Sequence, residues 1–291
     1  MQDNNSITVV IATLGGKALM STLSTLNSGS FVPREILVCI PEREADHADF
    51  AAAENVSIVA TPCRGQVAQR AFGFRQARHE YVLQLDDDMS VEHYCLERLV
   101  EASQALGSNV AVSPALIDEH TGRSVYERPR GPKLLLDIYF WLMNGVNGYQ
   151  PGTIDRAGSA VGVDPATAKS RFVEVEWLAG GCILHRRENL VREDFWARPG
   201  KAYCEDVVHS HLLRQRGIRL VVDTTARCEL EVARQSAMTF RAVLSDFYHD
   251  LCARRYYMKR VSRTSARMYL YYLVRFASHL WGRLRWKRSE P

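Results

Sequence analysis

Apolar residues in the first part of the chain fall into short uninterrupted runs, separated by stretches with helical spacing. Ile7 to Ala12, Glu35 to Ile40 (closed by Pro41), Val56 to Ala60 and Tyr81 to Leu85 are too short for helices and are bounded by turn-forming residues, so each reads as a buried strand. Leu19 to Leu26, Gly65 to Ala77 and Val91 to Leu106 carry the three-and-four spacing of amphipathic helices. Such alternation predicts an α/β fold: a doubly wound, mostly parallel sheet with helices on both faces. Ligands on sheets of this kind sit beyond the carboxyl ends of the strands, and Thr13, Pro41, Pro62 and Asp86 to Asp88 all fall there, on one rim.

After a further strand at Val110 to Pro114 the pattern loosens. Asp118 to Ala168 is rich in glycine and proline and is interrupted by one apolar run, Leu134 to Met143, which reads either as a core helix or as a segment dipping into a membrane. Glu174 to His185 regains strand character around Ala179-Gly180-Gly181, Cys204 to Arg216 is a helix closed by Gly217, and Ile218 to Asp223 is a late strand. Past Ser236 the chain reads as helices. Met268 to Arg288 puts Tyr269, Leu273, Phe276, Leu280 and Leu284 on one stripe, opposite Arg267, Arg275, Ser278 and Arg285, with Trp281 and Trp286 flanking it. That is the composition of an interfacial helix; the alternative is a helix packed on the main domain.

Charge sharpens this picture. The formal net charge is +4, yet between Asp250 and Glu290 there are eleven basic residues and no acid, so the remainder of the chain is net acidic. An acidic body argues against a nucleic-acid channel, and a basic, aromatic tail suits an anionic membrane surface. The seven cysteines form no C-x-x-C pair and no framework spacing, as expected of thiols in a reducing compartment, which also disfavours cysteine-bound zinc. The start lacks the pattern of a secretory signal, and no stretch reaches the roughly 18 apolar residues of a membrane span. The expected location is therefore cytoplasmic, peripheral at the inner face of the cell membrane.

The chemistry concentrates where the strand Tyr81 to Leu85 runs into Asp86-Asp87-Asp88. Adjacent carboxylates repel one another unless solvent or a cation neutralises them, and hard oxygen donors suit Mg or Mn. On an extended backbone Asp86 and Asp88 would share one side and converge on a cation, with Asp87 pointing elsewhere. The plainer reading is an acidic loop that caps the next helix through Asp88 or Ser90. Glu205-Asp206 at a helix start offers a carboxylate base, or again a cap. Trp177 beside Gly180 and Gly181 reads as a stacking floor for a ligand or as a core tryptophan at a strand bend.

Taken together, Ile7 to Thr13, Arg64-Gly65 with Arg70 and Gly73, Tyr81 to Asp88, Trp177 to Cys182, and Glu205-Asp206 ahead of Arg216-Gly217 resemble, in order and spacing over roughly Ile7 to Asp223, the inverting family 2 glycosyltransferases of the GT-A fold. The resemblance implies a nucleotide-diphospho-sugar donor whose diphosphate is bridged by Mg or Mn, with Asp88 as metal ligand and Asp86 its partner. Thr13, Glu42, Arg64, Arg70, Asp86 and Asp87 fall on the donor side. Trp177, Gly180 and Gly181 fall on the sugar or acceptor side. It makes Asp206 the catalytic base and Glu205 the group orienting base or acceptor. A GT-A domain over residues 1–235 would divide into a donor half (about 1–115) and an acceptor half (about 116–235), followed by a helical, membrane-associating extension over 236–291. The expected acceptor is a lipid-linked glycan or glycolipid of cell-envelope polysaccharide synthesis.

Two departures from the family pattern stand out. Where its second strand ends in Asp before Gly-Ser, this chain has Ile40-Pro41-Glu42-Arg43, and where many relatives place a metal-binding His after the last strand it runs Thr225 to Glu231, leaving His249 as the nearest later histidine. Two other functions fit parts of the pattern. A haloacid-dehalogenase-type phosphotransferase would use Asp86-x-Asp88 as nucleophile and acid. A non-catalytic, membrane-bound nucleotide-sugar-binding protein would keep the fold without turnover.

Overall fold

A computed structural model describes residues 6–45, 53–196, 202–232 and 240–289 of the chain. Four strands in the first part, β1 (Ile7–Ala12), β2 (Glu35–Pro41), β3 (Val56–Thr61) and β4 (Tyr81–Leu85), pair in parallel in the order β3-β2-β1-β4. β1, β4 and nearly all of β2 are buried. This is why they read as continuous apolar runs: a strand covered on both faces has no polar side to show. Helices α1 (Ala18–Ser28) and α3 (Gln66–Gln76) lie between them, with the short α2 (Glu42–Ala45) after β2. All four carboxyl ends meet at one rim, as the alternation requires.

Beyond β4 the sheet departs from a simple parallel winding. A short strand β5 (Met89–Val91) pairs antiparallel with the distant β10 (Arg219–Leu230), so helix α4 starts only at Cys95 and runs to Leu106. The expected helix from Val91 is shorter for this reason, and neither Asp88 nor Ser90 caps it. β6 (Val110–Asp118) pairs parallel with β10, and β7 (Arg123–Ser124) pairs with β6. The expected strand at Glu174 to His185 is two strands: β8 (Phe172–Val175), antiparallel to β10, and β9 (Cys182–Arg186), inserted antiparallel between β4 and β6. The sheet order is β3-β2-β1-β4-β9-β6-β10-β5. The sheet therefore runs through the expected boundary near residue 115, which lies inside β6.

The remaining helices are α5 (Lys133–Asn144), α6 (Glu205–Gln215), α7 (Phe240–Arg260) and α8 (Ala266–Ser289). One core lies between the sheet and α1 and α4, and a second joins Trp177, Val207 and Val208 to Ala253, Tyr257 and Met258 of α7 and Met268 and Tyr272 of α8. A buried knot ties α7 to α8, in which Asp250 accepts hydrogen bonds from Tyr272 (2.9 Å) and Arg275 (2.8 Å). The start of the C-terminal extension is thus a packed part of the molecule, while Tyr269 and Leu273 of the expected stripe face outward. The expected boundary at 235/236 lies outside the described residues, as do the side chains of Leu280, Trp281, Leu284, Arg285 and Trp286. Among the described residues no helix is long and apolar enough to cross a membrane.

Candidate active site

The site grows from the buried face of α3. A helix on a sheet ordinarily turns an apolar stripe inward, but α3 buries Gln69 and Arg70 among Val67, Ala71 and Phe74. It also sits very close to the sheet: a Cβ on Gly73 would lie 2.5 Å from Val10 and 2.6 Å from Cys39. From there the Gln69 amide donates to the carbonyls of Thr13 and Cys39, both at 2.8 Å, and its oxygen accepts from the Gly65 N–H at 3.2 Å. One side chain thereby joins the ends of β1 and β2 to the start of α3, adding a second bond to the Cys39 carbonyl, which also accepts from the Thr13 N–H at 3.0 Å.

Arg70 is the centre of the arrangement. Its Nη1 donates to Glu205 Oε1 at 2.5 Å and its Nη2 to Asp86 Oδ1, so one buried guanidinium joins the end of β4 to the first turn of α6. Burial opposes the charge on Arg70, but Glu205 and Asp86 outweigh it and hold the guanidinium protonated beyond the usual arginine range. Gln66 adds a second donor to Asp86 Oδ1 at 3.0 Å. Spent in this way, Arg70 is an internal clamp and does not reach out to a diphosphate. Arg64, by contrast, is exposed and pairs with Glu44 at 3.4 Å, and Glu42 is exposed at the start of α2.

The three aspartates separate. Since β4 ends at Leu85, Asp86 to Asp88 lie in the turn before β5, and strand alternation does not place them. Asp86 is tied inward by Arg70, Gln66 and a backbone bond from its N–H to the Gly181 carbonyl at 2.9 Å. Asp87 accepts a hydrogen bond from the Thr13 hydroxyl, which in turn accepts from the Gly15 N–H at 2.9 Å. Asp88 is exposed at the rim.

On the other side of Arg70, Gly180 and Gly181 bring backbone close to the carboxylates. A Cβ on Gly180 would stand 2.6 Å from Glu205 Oε1, and one on Gly181 would stand 3.3 Å from Met89 and 3.5 Å from Asp86. Gln84, buried in β4, holds the bend by donating to the Gly180 carbonyl at 2.5 Å. Cys204, just before α6, takes a left-handed backbone with φ of 54°, a conformation costly for a side chain with a Cβ, and its thiol donates to Asp250 of α7 at 3.4 Å. The twist delivers Glu205 into the interior and leaves Asp206 beside it. Burial first, and then the Glu205 carboxylate, push Asp206 up to about 7, against the Val207 N–H at 2.8 Å and the charges of Arg70 and Arg254. Glu205 is raised by burial as well, with Arg70 pulling it back.

Trp177 is buried, donates its indole N–H to the Val161 carbonyl at 3.0 Å and meets Tyr126 edge-on with ring centres 5.6 Å apart. The core reading of Trp177 is the one the packing carries, and the half-buried ring above it is Tyr126, close enough to Asp206 for that carboxylate to help raise its hydroxyl after burial does. Gly162 makes room for this ring, since a Cβ there would fall 2.1 Å from it. Gln66, Gln69, Gln84 and Tyr126 were not legible as site residues. The available signal was the polar pair Gln69-Arg70 at inward positions of a helix that packs on the sheet. His249 stacks on Tyr203 with ring centres 6.0 Å apart, a packing role.

The carboxylates fit a hard divalent cation in one specific sense. Among the described residues no group of three His, Cys, Asp or Glu is gathered around a point. One or two carboxylate oxygens at this rim, Asp88 with Asp86 behind it, would suit a hard ion whose coordination is completed by other oxygen donors, the usual arrangement for Mg at a nucleotide.

The family model described as Glycosyl transferase family 2 matches residues 42–152, a span that takes in Arg70 and Asp86 to Asp88 and stops before Trp177 and Glu205-Asp206. No curated protein matches the chain. Among solved structures it is similar to the crystal structure of GalNAc-T7 with UDP, GalNAc and Mn2+, with a TM-score of 0.53 and 18% identity over 80% of this chain; that likeness is one of fold, and the chain spans 45% of the length of the GalNAc-T7 chain. Residues 42–152 thus match the Glycosyl transferase family 2 model, less than half of the chain, and the architecture as a whole is similar to the GT-A fold.

Proposed function

We propose that the protein is an inverting glycosyltransferase that moves a sugar from a nucleotide-diphospho-sugar to a hydroxyl of a lipid-linked glycan or glycolipid in cell-envelope polysaccharide assembly, working at the inner face of the cell membrane. The observation that carries this reading is the Arg70 bridge between Asp86 and Glu205, with Asp206 beside it. Arg70 shares its single positive charge between Asp86 Oδ1 and Glu205 Oε1, while Asp88 stands at the donor rim and Asp206 at the acceptor side. Asp206, held near neutrality, takes the proton of the acceptor hydroxyl as its oxygen attacks the anomeric carbon; the bond to the diphosphate oxygen breaks and the configuration inverts. Glu205, fixed by Arg70, positions the segment that carries Asp206. Asp88, with Asp86, would hold Mg or Mn, which when bound offsets the charge gathering on the departing diphosphate. The structural neighbour solved with UDP and Mn2+ supports a divalent ion in this role. Thr13 with Asp87, and exposed Arg64 and Glu42, line the rim where a nucleotide would lie.

The phosphotransferase reading loses its footing here. Asp86 is occupied by Arg70 and Gln66 and Asp87 by Thr13, so neither is placed as a free nucleophile. The deciding experiment is calorimetry of nucleoside diphosphates with and without Mn, joined to a transfer assay. Asp88→Ala should abolish Mn-supported binding and Asp87→Asn, which retains an acceptor for Thr13, should be far milder. Asp206→Asn should lower transfer by roughly two to four orders of magnitude at nearly unchanged donor affinity. Equal losses at Asp87 and Asp88 would defeat the metal assignment, and binding without any turnover of nucleotide sugars would favour a non-catalytic binding protein.

A further inference from the structure

Helix α5 breaks the rule for a surface helix. Only Lys133 and Asp137 among its residues carry charge, and apolar side chains face both ways. Phe140 and Met143 are buried, whereas Leu134, Leu135, Ile138 and Trp141 are between 46% and 71% exposed. The spacing of these four puts them on one side of the helix, opposite the buried pair. A helix that is apolar all round is ordinarily enclosed by protein or lipid. Here the apolar surface continues instead of ending, because α5 packs on α8, where Tyr269 and Leu273 also face outward. Arg267 locks the two together by donating to the carbonyls of Trp141 (3.2 Å) and Leu142 (2.8 Å).

The surroundings of this face are mostly basic, with Asp137 the exposed acid of α5 and Glu127 paired to Arg130 at 3.2 Å. Arg130 and Lys133 are exposed at its start, Arg128 lies over the Tyr149 ring, and Arg156 is exposed beside Gly145 at its end. The backbone of α8 continues as helix to Ser289, through a stretch whose sequence adds Arg283, Arg285, Lys287 and Arg288. We propose that the outward side of α5, with Tyr269 and Leu273, seats on an anionic bilayer surface, the apolar side chains entering the headgroup boundary and the basic rim meeting the headgroups. A second copy of the chain fits this face less well, since a two-fold interface would set the same basic rim against itself. The inference moves the membrane reading above onto a different element and does not depend on sugar transfer.

Sedimentation of the full chain with phosphatidylcholine vesicles, with and without phosphatidylglycerol, tests it. The double variant Leu134→Ser/Ile138→Ser should partition about tenfold or more weakly onto the anionic vesicles while its far-UV circular dichroism stays that of the wild type. Brominated lipid should quench wild-type tryptophan emission more than that of Trp141→Phe. Wild-type partitioning of the double variant, or equal quenching with and without Trp141, overturns the proposal. So does light scattering that shows a wild-type dimer separated by the double substitution with vesicle binding unchanged, which would make the face a self-interface. If vesicle binding is lost in the variant although no nucleotide sugar is ever turned over, this inference stands and the catalytic one falls.

Discussion

Helices α3 and α5 are inside out with respect to each other. α3 lies on the sheet with an arginine and a glutamine buried on its inner face, and α5 lies at the surface with leucines, an isoleucine and a tryptophan on its outer face. Both violate the amphipathic rule, and the violations have different costs. A buried charge is tolerable only if its partners are also there, so α3 is intelligible only together with Asp86 and Glu205. An exposed apolar stripe costs little in the folded monomer and needs an occupant from outside. The first kind of departure marks chemistry within the fold; the second marks a surface awaiting contact.

The contrast can be broken most forcefully at Arg70. Arg70→Met should cost about 3–5 kcal/mol in urea unfolding, because it leaves the buried Glu205 and the half-buried Asp86 without their counter-charge, and should eliminate transfer. Arg70→Lys keeps one charge but not the two-armed geometry, and should fall between them. A small loss of stability in Arg70→Met would show that the bridge does not organise the site.

Asp206 separates chemistry from stability. Its carboxyl titrates near 7 in the folded protein against an ordinary value of 3.8, so its stabilising contribution is complete below the ordinary value and is lost as pH rises through about 7. Asp206→Asn should therefore raise the unfolding free energy at pH 8 by roughly 1–4 kcal/mol and change it little at pH 4. Wild-type transfer should climb as pH rises through the same interval, since the base must be unprotonated. A stability difference independent of pH would contradict the assignment.

A gentler probe is the pair of glycines near the carboxylates. Gly180→Ala places a methyl group 2.6 Å from Glu205 Oε1 and should cost about 1–3 kcal/mol together with part of the activity. Gly16→Ala, whose Cβ would find Asp87 only at 4.0 Å, should lie within about 0.5 kcal/mol of wild type. The smallest effect is expected at α5. Leu135→Ser should change monomer stability by less than about 0.5 kcal/mol, whereas a leucine inside a core would cost several times that.

Much of the fold was legible because buried parallel strands must be apolar throughout. β1 and β4 occupy the predicted residues for that reason, and the rim holding Thr13 and Asp86 to Asp88 follows from their parallel order. What was misread depended on distant partners. β5 is a strand because β10 lies beside it, and nothing local distinguishes Met89–Val91 from the first turn of a helix. β8 and β9 split an apparent single strand because they pair with different neighbours, β10 for one and β4 and β6 for the other.

The division runs the same way through the site. Residue order alone determined which carboxylates exist, that one group follows a strand and the other opens a helix, and that a glycine pair stands between them in the chain. Only the tertiary structure decided their states: Asp86 and Glu205 share one arginine, Asp87 is held by Thr13, Asp88 stands at the rim and Asp206 is pushed up to about 7. The reason is electrostatic. The identity of a carboxyl sets its ordinary pKa, but its charge in the protein depends on burial and on what stands within a few ångströms, and those neighbours come from residues that are far apart along the chain.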